Sequence, residues 1–346
     1  MLISSFHASV SHSCGISIFS RHFRNALSPL GIDVLETNLR AAEMRARAPI
    51  SLVHYAPSSF ISEEASGALV RLLTSLRDDE RLCVILHGAH RYGETRFERD
   101  GICPNQGNHI RLLSKKADFI VALSDSVADA FQSWHSESEA QFIRIDHPGL
   151  FASAQGKRAI PPYAFVGGIS RPKKAYASRR IGKLIEQCES RDIRIWQHWT
   201  NASHFCPFQN SWKQSCGLLT DIEWSSAIAG ASVVLCPYQS RIQTVSGLIS
   251  EALSVGRFVV ATSFSAALEM QRRTPALIYV ENDLERWPDL ISELLPRPIY
   301  EDIRTPTWEA FAKRISKELF QLPIGDIYPS QFPKHVTDAR CAFCRV

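Results

Sequence analysis

The sequence predicts an α/β protein made of two consecutive Rossmann-like units, and three observations carry that expectation. Short apolar strands alternate with amphipathic helices along most of the chain. The alternation breaks once, near residue 150, at a polar stretch bearing prolines. The 346 residues, 45% hydrophobic and 21% charged, suffice for two domains of ordinary size.

In chain order, LISSF reads as a first strand, and Ile16, Phe19, Phe23, Leu27 and Leu30 then fall on one face of a helix that Gly31 ends. IDVLET, SLVHYA, LCVILHG and FIVALSD follow as short apolar strands, with helical patterns such as SGALVRLLTSL between them. Strands of this kind separated by helices describe a parallel sheet covered on both faces. Around His147, Pro148 and Gly149 the pattern stops, and FASAQGKRAIPP reads as a linker. The second half restarts with YAFVGG, a helix through IGKLIEQC, RIWQHW, a helix DIEWSSAIAG, SVVLCPY, a helix from Gly247 to Val255, and the strand FVVAT. A last helix, TWEAFAKRISKELFQL, aligns Trp308, Phe311, Ile315 and Leu319, so it packs against something.

Composition excludes several classes. The opening MLISSFHASVSHSCG has no basic region ahead of its apolar residues and reads as strand and loop rather than a signal peptide. No run of eighteen apolar residues offers a membrane span. Nine cysteines lie mostly in apolar segments, Cys83 and Cys236 among them, which is the usage of free thiols in a reducing compartment, so a cytoplasmic location is expected. Cys341 and Cys344 form a C-x-x-C near His335 without an evident fourth zinc ligand, and read as tail. Residues 1–150 carry a net charge of −2 and the remainder +6, a mild asymmetry that does not indicate nucleic acid. There is no D-x-D, so no metal-held diphosphate is expected. G-x-S-x-G, Walker A and G-x-G-x-x-G patterns are also missing.

The segment QTVSGLISEALSVGRFVVATSF, beginning at Gln243, is the most informative. It sets hydroxyls, a glycine and a carboxylate around a helix start that leads into a buried strand. Free amides at Ser246, Gly247 and Leu248, with the positive end of the helix dipole, suit a diphosphate, and Glu251 one turn on suits ribose hydroxyls. Gly247 permits close approach. The same pattern also serves as a plain helix start capped by Thr244 or Ser246.

This segment resembles the donor site of retaining GT-B glycosyltransferases of the group 1 family, whose pattern is E-x7-E followed by A-x3-G and a strand. Glu251, Ala252, Gly256 and FVVAT match its second half. Gln243 stands at the first acidic position, close to a branch that reads Q-x-T-S-G with a later A-x-x-E, here Gln243, Thr244, Ser246, Gly247, Ala266 and Glu269. The resemblance implies a GT-B fold: two Rossmann-like domains facing across a cleft, residues 1–152 on the acceptor side and 160–305 on the donor side. A crossover helix at 306–322 would return to the N-terminal domain, with a tail at 323–346.

Three further places fit the resemblance. Gly15, in a turn after His12, Ser13 and Cys14, is similar to a C-G-I loop and would face the donor phosphates or the acceptor. After the strand AFVGG, Lys173 matches the lysine of a G-R-x4-K pattern, and Arg171 would substitute for the arginine, whose position is Gly168. His87, near the end of LCVILHG, matches a strand-end histidine near the transferred sugar; a buried structural role, or the neighbouring His90 in its place, are the alternatives. His147 in DHPG resembles a hinge motif and reads as structural. The resemblance implies metal-independent transfer of a hexose from a nucleotide diphosphate sugar to a glycan or lipid-linked acceptor, with retention. No cofactor is implied, and a lipid-linked acceptor would place the chain at the inner face of a membrane. A nucleotide-sugar-binding protein without turnover, a sugar phosphorylase and a nucleotide-sugar epimerase stand as alternatives.

Overall fold

The computed structural model describes residues 1–8, 15–39, 48–91, 105–134, 138–154, 158–169, 178–199, 212–217, 219–238, 245–298 and 305–320. Two six-stranded sheets, parallel throughout, organise them. The first contains β1 (Leu2–His7), β2 (Asp33–Asn38), β3 (Ile50–Tyr55), β4 (Arg81–Leu86), β5 (Phe119–Ala122) and β6 (Gln141–Arg144), in the order β2-β1-β3-β4-β5-β6. Helices α1 (Gly15–Leu27), α2 (Glu63–Thr74), α3 (Gln106–Lys116) and α4 (Asp125–Gln132) connect them.

The second sheet contains β7 (Ala164–Ile169), β8 (Ile195–Trp199), β9 (Lys213–Cys216), β10 (Val233–Cys236), β11 (Phe258–Ala261) and β12 (Ile278–Val280), in the order β12-β11-β10-β7-β8-β9. Its helices are α5 (Ser178–Glu189), α6 (Asp221–Gly230), α7 (Gly247–Ser254), α8 (Ser265–Arg273) and α9 (Trp287–Leu294). In each sheet the strand order reverses once, beside β1 and β3 in the first and beside β7 and β10 in the second. Ligands of open α/β sheets bind beyond the strand C-termini at such a point.

Alternation along the strands of the first sheet divides its core in two. Val53 and Tyr55 of β3, with Leu82, Val84 and Leu86 of β4, face α2, α3 and α4. Ile50 and Leu52, with Cys83 and Ile85, face the opposite way, toward Phe19 and Phe23 of α1. That second face is completed by α10 (Trp308–Phe320), whose Trp308, Phe311, Ala312, Ile315 and Leu319 are all buried there. The last helix therefore crosses from the second sheet's end of the chain to the first unit, as its apolar stripe and the resemblance together led one to expect.

Some elements differ from the sequence reading. Helix α1 stops at Leu27; Ser28–Leu30 tighten into a 3-10 turn with Pro29 near its start, closed by Gly31 at φ +72°. Leu30 thus leaves the helical stripe and is only half-buried. Strands β9, of sequence KQSC, and β12, three residues long, carry too little apolar patterning to stand out. Helix α8, with Arg272 and Arg273 in its last turn, is polar and carries little apolar patterning either. Cys83, Cys188 and Cys236 are buried free thiols, and burial pushes the Cys188 thiol up to about 12; Cys216 is free but exposed.

Candidate functional site

Helix α7 begins beside β10, at the point where the second sheet reverses its order. Ser246 is extended and caps the helix, its hydroxyl accepting from the Ile249 amide at 3.4 Å. Leu248 and Ile249 anchor the first turn in the second unit's core, while Val245, just before it, packs on the cores of the first unit. The helix start is thereby held between the two sheets. Gly247 lies against His147: a Cβ at this position would stand 3.3 Å from the imidazole Cε1. The close approach that glycine permits here is to a histidine ring of the chain itself.

Glu251 is buried one turn on, and its Oε2 accepts from the indole N–H of Trp224 on α6 at 2.9 Å. Burial raises its pKa, the Trp224 bond partly opposing. Tyr238, following β10, shares a hydrogen bond with Ser246, and burial raises its phenol well above the usual value. Trp224 and Tyr238 therefore complete the surroundings of the glutamate. Neither is distinctive in the sequence, because an aromatic in a core helix or after a strand reads as packing.

From the first unit, His87 directly follows β4, and the strand alternation that sends Cys83 and Ile85 toward α1 sends His87 the same way. Its ring meets Phe19 edge-on, with centroids 4.5 Å apart, and Phe19 also abuts His147 at 5.3 Å. His87 and Gly247 are thus linked through His147. Burial, with the nearby rings of His54, His147 and His7, holds His87 well below the ordinary histidine pKa, so the ring is neutral at physiological pH. His147, whose Nδ1 donates to the Pro148 carbonyl at 2.7 Å, is lowered by burial to about 4.

Gly15 opens α1, four residues before Phe19, and a Cβ there would meet nothing within 4 Å. Packing among the described residues does not demand glycine at that point. Arg171, Lys173, Gln243 and Thr244 lie outside the described residues, as do His12, Ser13, Cys14, Cys341 and Cys344. The structure places Ser246, Gly247, Leu248 and Glu251 on and just before the first turns of α7 and connects His87 to that helix start through Phe19 and His147.

Glu269, the last residue matched to the donor-site pattern, reaches the first unit. Its carboxylate accepts from the Asp125 and Ser126 amides, each at 2.9 Å, and from the Ser126 hydroxyl at 2.7 Å, capping α4 of the first unit from α8 of the second. Arg144 lies 3.3 Å away, and Arg273 binds Asp146 with both guanidinium nitrogens. Burial alone would raise Asp146; hydrogen bonds from Arg273 and Arg144 outweigh it and hold the carboxyl below its ordinary value. On the other side of the interface Arg21 of α1 pairs with Asp221 of α6 at 2.5 Å, with His22 Nε2 at 3.2 Å.

No protein-family model and no curated protein sequence matches the chain. Solved structures do. An alpha-glucosyltransferase in complex with UDP-glucose and DNA containing an abasic site is 13% identical, with a TM-score of 0.58 over 93% of this chain and 95% of that one. WaaG, a glycosyltransferase involved in lipopolysaccharide biosynthesis, is 11% identical, with a TM-score of 0.52 over 92% and 95%. UDP-GlcNAc 2-epimerase from Methanocaldococcus jannaschii, in complex with UDP-GlcNAc and UDP, is 9% identical, with a TM-score of 0.60 over 93% and 100%. Two parallel sheets, a crossover helix and this likeness along nearly the whole chain define a GT-B fold.

Proposed function

We propose that the chain is a glycosyltransferase that moves a hexose from a nucleotide diphosphate sugar to a glycan or lipid-linked acceptor, with retention and without a metal. The observation that carries this reading is the buried Glu251, one turn into α7, held by Trp224 through one carboxylate oxygen, beside a helix start that packs on His147. Glu251 would accept the ribose hydroxyls and the amides of Ser246, Gly247 and Leu248 would meet the diphosphate. Arg171 and Lys173 would neutralise its charge, Gln243 and Thr244 would contact the sugar or its phosphates, and Gly15 would face them from the first unit. His87 would contact the hexose. In the front-face course implied by the resemblance, the departing phosphate oxygen takes the acceptor hydroxyl's proton and no protein nucleophile is needed.

Thermal-shift screening against UDP, GDP, ADP and TDP identifies the base, because a ligand of the native state raises the midpoint. With the preferred nucleotide, wild type should favour ribo over deoxyribo forms, and Glu251→Gln should erase much of that preference. Equal binding of both by wild type would remove Glu251 from the donor site. His87→Ala should leave diphosphate affinity nearly unchanged and lower turnover by a factor on the order of 100. DNA, present in the alpha-glucosyltransferase structures, is the control acceptor in these assays. The likeness to an epimerase favours a second reading, separable by testing for isomerisation of the donor without acceptor.

A further inference from the structure

The first sheet places a line of polar side chains on the face that α1 covers. Ser5 and His7 of β1, His54 of β3 and His87 after β4 share the direction of Ile3, Leu52 and Ile85, and His7 pairs in register with His54. His87 Nε2 lies 3.0 Å from His54 Nδ1, His54 Nε2 lies 3.2 Å from Ser5 Oγ, and Ser5 Oγ lies 3.4 Å from Ser20 Oγ of α1. Ser20 Oγ donates to Glu36 Oε1 of β2 at 3.2 Å, and Arg24 holds the other carboxylate oxygen at 3.4 Å. Ser5, Ser20 and His54 are buried, so water does not substitute for these partners.

The chain has a direction set at its outer end. A carboxylate only accepts, so the single proton of the Ser20 hydroxyl is committed to Glu36. Ser5 must then donate to Ser20, and His54 Nε2 must donate to Ser5. A neutral imidazole has one N–H, which leaves His54 Nδ1 as acceptor, so His87 donates to it from Nε2. Burial lowers His54 to about 3 and keeps it neutral.

We propose that Glu36, acting through Ser20, Ser5 and His54, holds His87 as its Nε2–H tautomer, so that the ring offers the substrate only an acceptor, Nδ1. The group that meets His87 is then a donor, a sugar or acceptor hydroxyl, and not a phosphate oxygen. That last step rests on the glycosyltransferase reading; the tautomer itself does not. Glu36, Ser20, Ser5 and His54 are positioning residues. The titratable groups facing His87 and His54 are His7 on β1 and His147 after β6, and Arg24 faces Glu36.

Long-range ¹H–¹⁵N correlation spectra of the imidazoles, recorded at pH 7 without substrate, read the tautomer directly. Wild type should show His87 protonated at Nε2. Ser20→Ala and Ser5→Ala interrupt the line at different points, and Glu36→Gln supplies a donor where only an acceptor stood. Each should bring out a substantial Nδ1–H share, and Glu36→Asp should restore the wild-type pattern. Turnover should fall about tenfold in the three interrupting variants with nucleotide affinity kept, the size of effect that follows from losing one oriented acceptor. An Nδ1–H ring in wild type overturns the proposal, as does a tautomer unmoved in all three variants. If no sugar transfer is found while the tautomer shifts as stated, the functional reading fails and the relay stands.

Discussion

At the scale of single residues, the polar groups buried in the apolar body set the pH behaviour. His54 and His147 are lowered to about 3 and about 4, chiefly by burial, and His87 is lowered as well. Their folded values lie below the unfolded value near 6.5, so the unfolded chain binds more protons in the window between. The stability from keeping these rings neutral is complete above about pH 6.5 and is lost as pH falls toward 4 and 3. Each fully protonated histidine of the unfolded chain adds a slope of about 1.4 kcal/mol per pH unit. The urea midpoint should therefore fall steeply from pH 7 to 5, and His147→Asn should flatten the slope by about one proton. A midpoint independent of pH over that range would contradict this placement of the rings. His87 was legible in the sequence because it ends an apolar run. His54 was not, although a histidine within ISLVHY, a strand buried at every position, is a signal that its nitrogens must find partners.

At the scale of elements, α7 is held by two close approaches to the segment that follows β6. A Cβ on Gly149 would stand 2.1 Å from Ser254 Cβ and 2.9 Å from the Ser250 carbonyl oxygen, and Ser254 Oγ accepts from the Leu150 amide at 2.9 Å. Backbone blocks relief there, so Gly149→Ala should cost at least about 3 kcal/mol, the upper range for overpacking. Gly247→Ala meets only the His147 ring, at 3.3 and 3.6 Å, but that ring is fixed by Pro148 and Phe19. A loss of about 1 kcal/mol is expected for it. Thermal denaturation of the two variants decides the order; equal losses would show that the crossing at Gly149 relaxes. The start of α7 was readable from Ser246, Gly247 and Glu251. Its partner across the interface was not, because nothing local to His147-Pro148-Gly149 names the helix it crosses.

At the scale of the whole molecule, the two units are joined by charge as well as by chain. The Glu269 side chain is only 2% exposed and takes two amides at the start of α4, a charge-assisted cap supplied by the other unit. Glu269→Ala leaves those amides and Arg144 without that carboxylate. The two units should then unfold separately, with calorimetry showing two transitions where wild type has one. A single transition at an unchanged midpoint would mean the units are coupled elsewhere, with Arg21–Asp221 next to test. Alternation of strand and helix made most strands of both sheets legible; the apolar stripe of α10 showed that it packs somewhere, and only the resemblance pointed to the first unit. The bond from Glu269 to the first unit was not legible, because a motif records spacing along the chain and carries no information about the unit opposite.

The crossing of α10 has a consequence for how the chain is made. Phe19 and Phe23 emerge early in synthesis, yet the side chains that cover them, Trp308, Phe311 and Ile315, are made after the whole second sheet. Domains ordinarily complete themselves from the N-terminus as they leave the ribosome. Here the first unit to be synthesised is the last to close: it waits with one face bare while its partner folds. Synthesis of α10 is then the event that seals the half carrying His87, and nascent chains halted before residue 305 should still offer that face to chaperones.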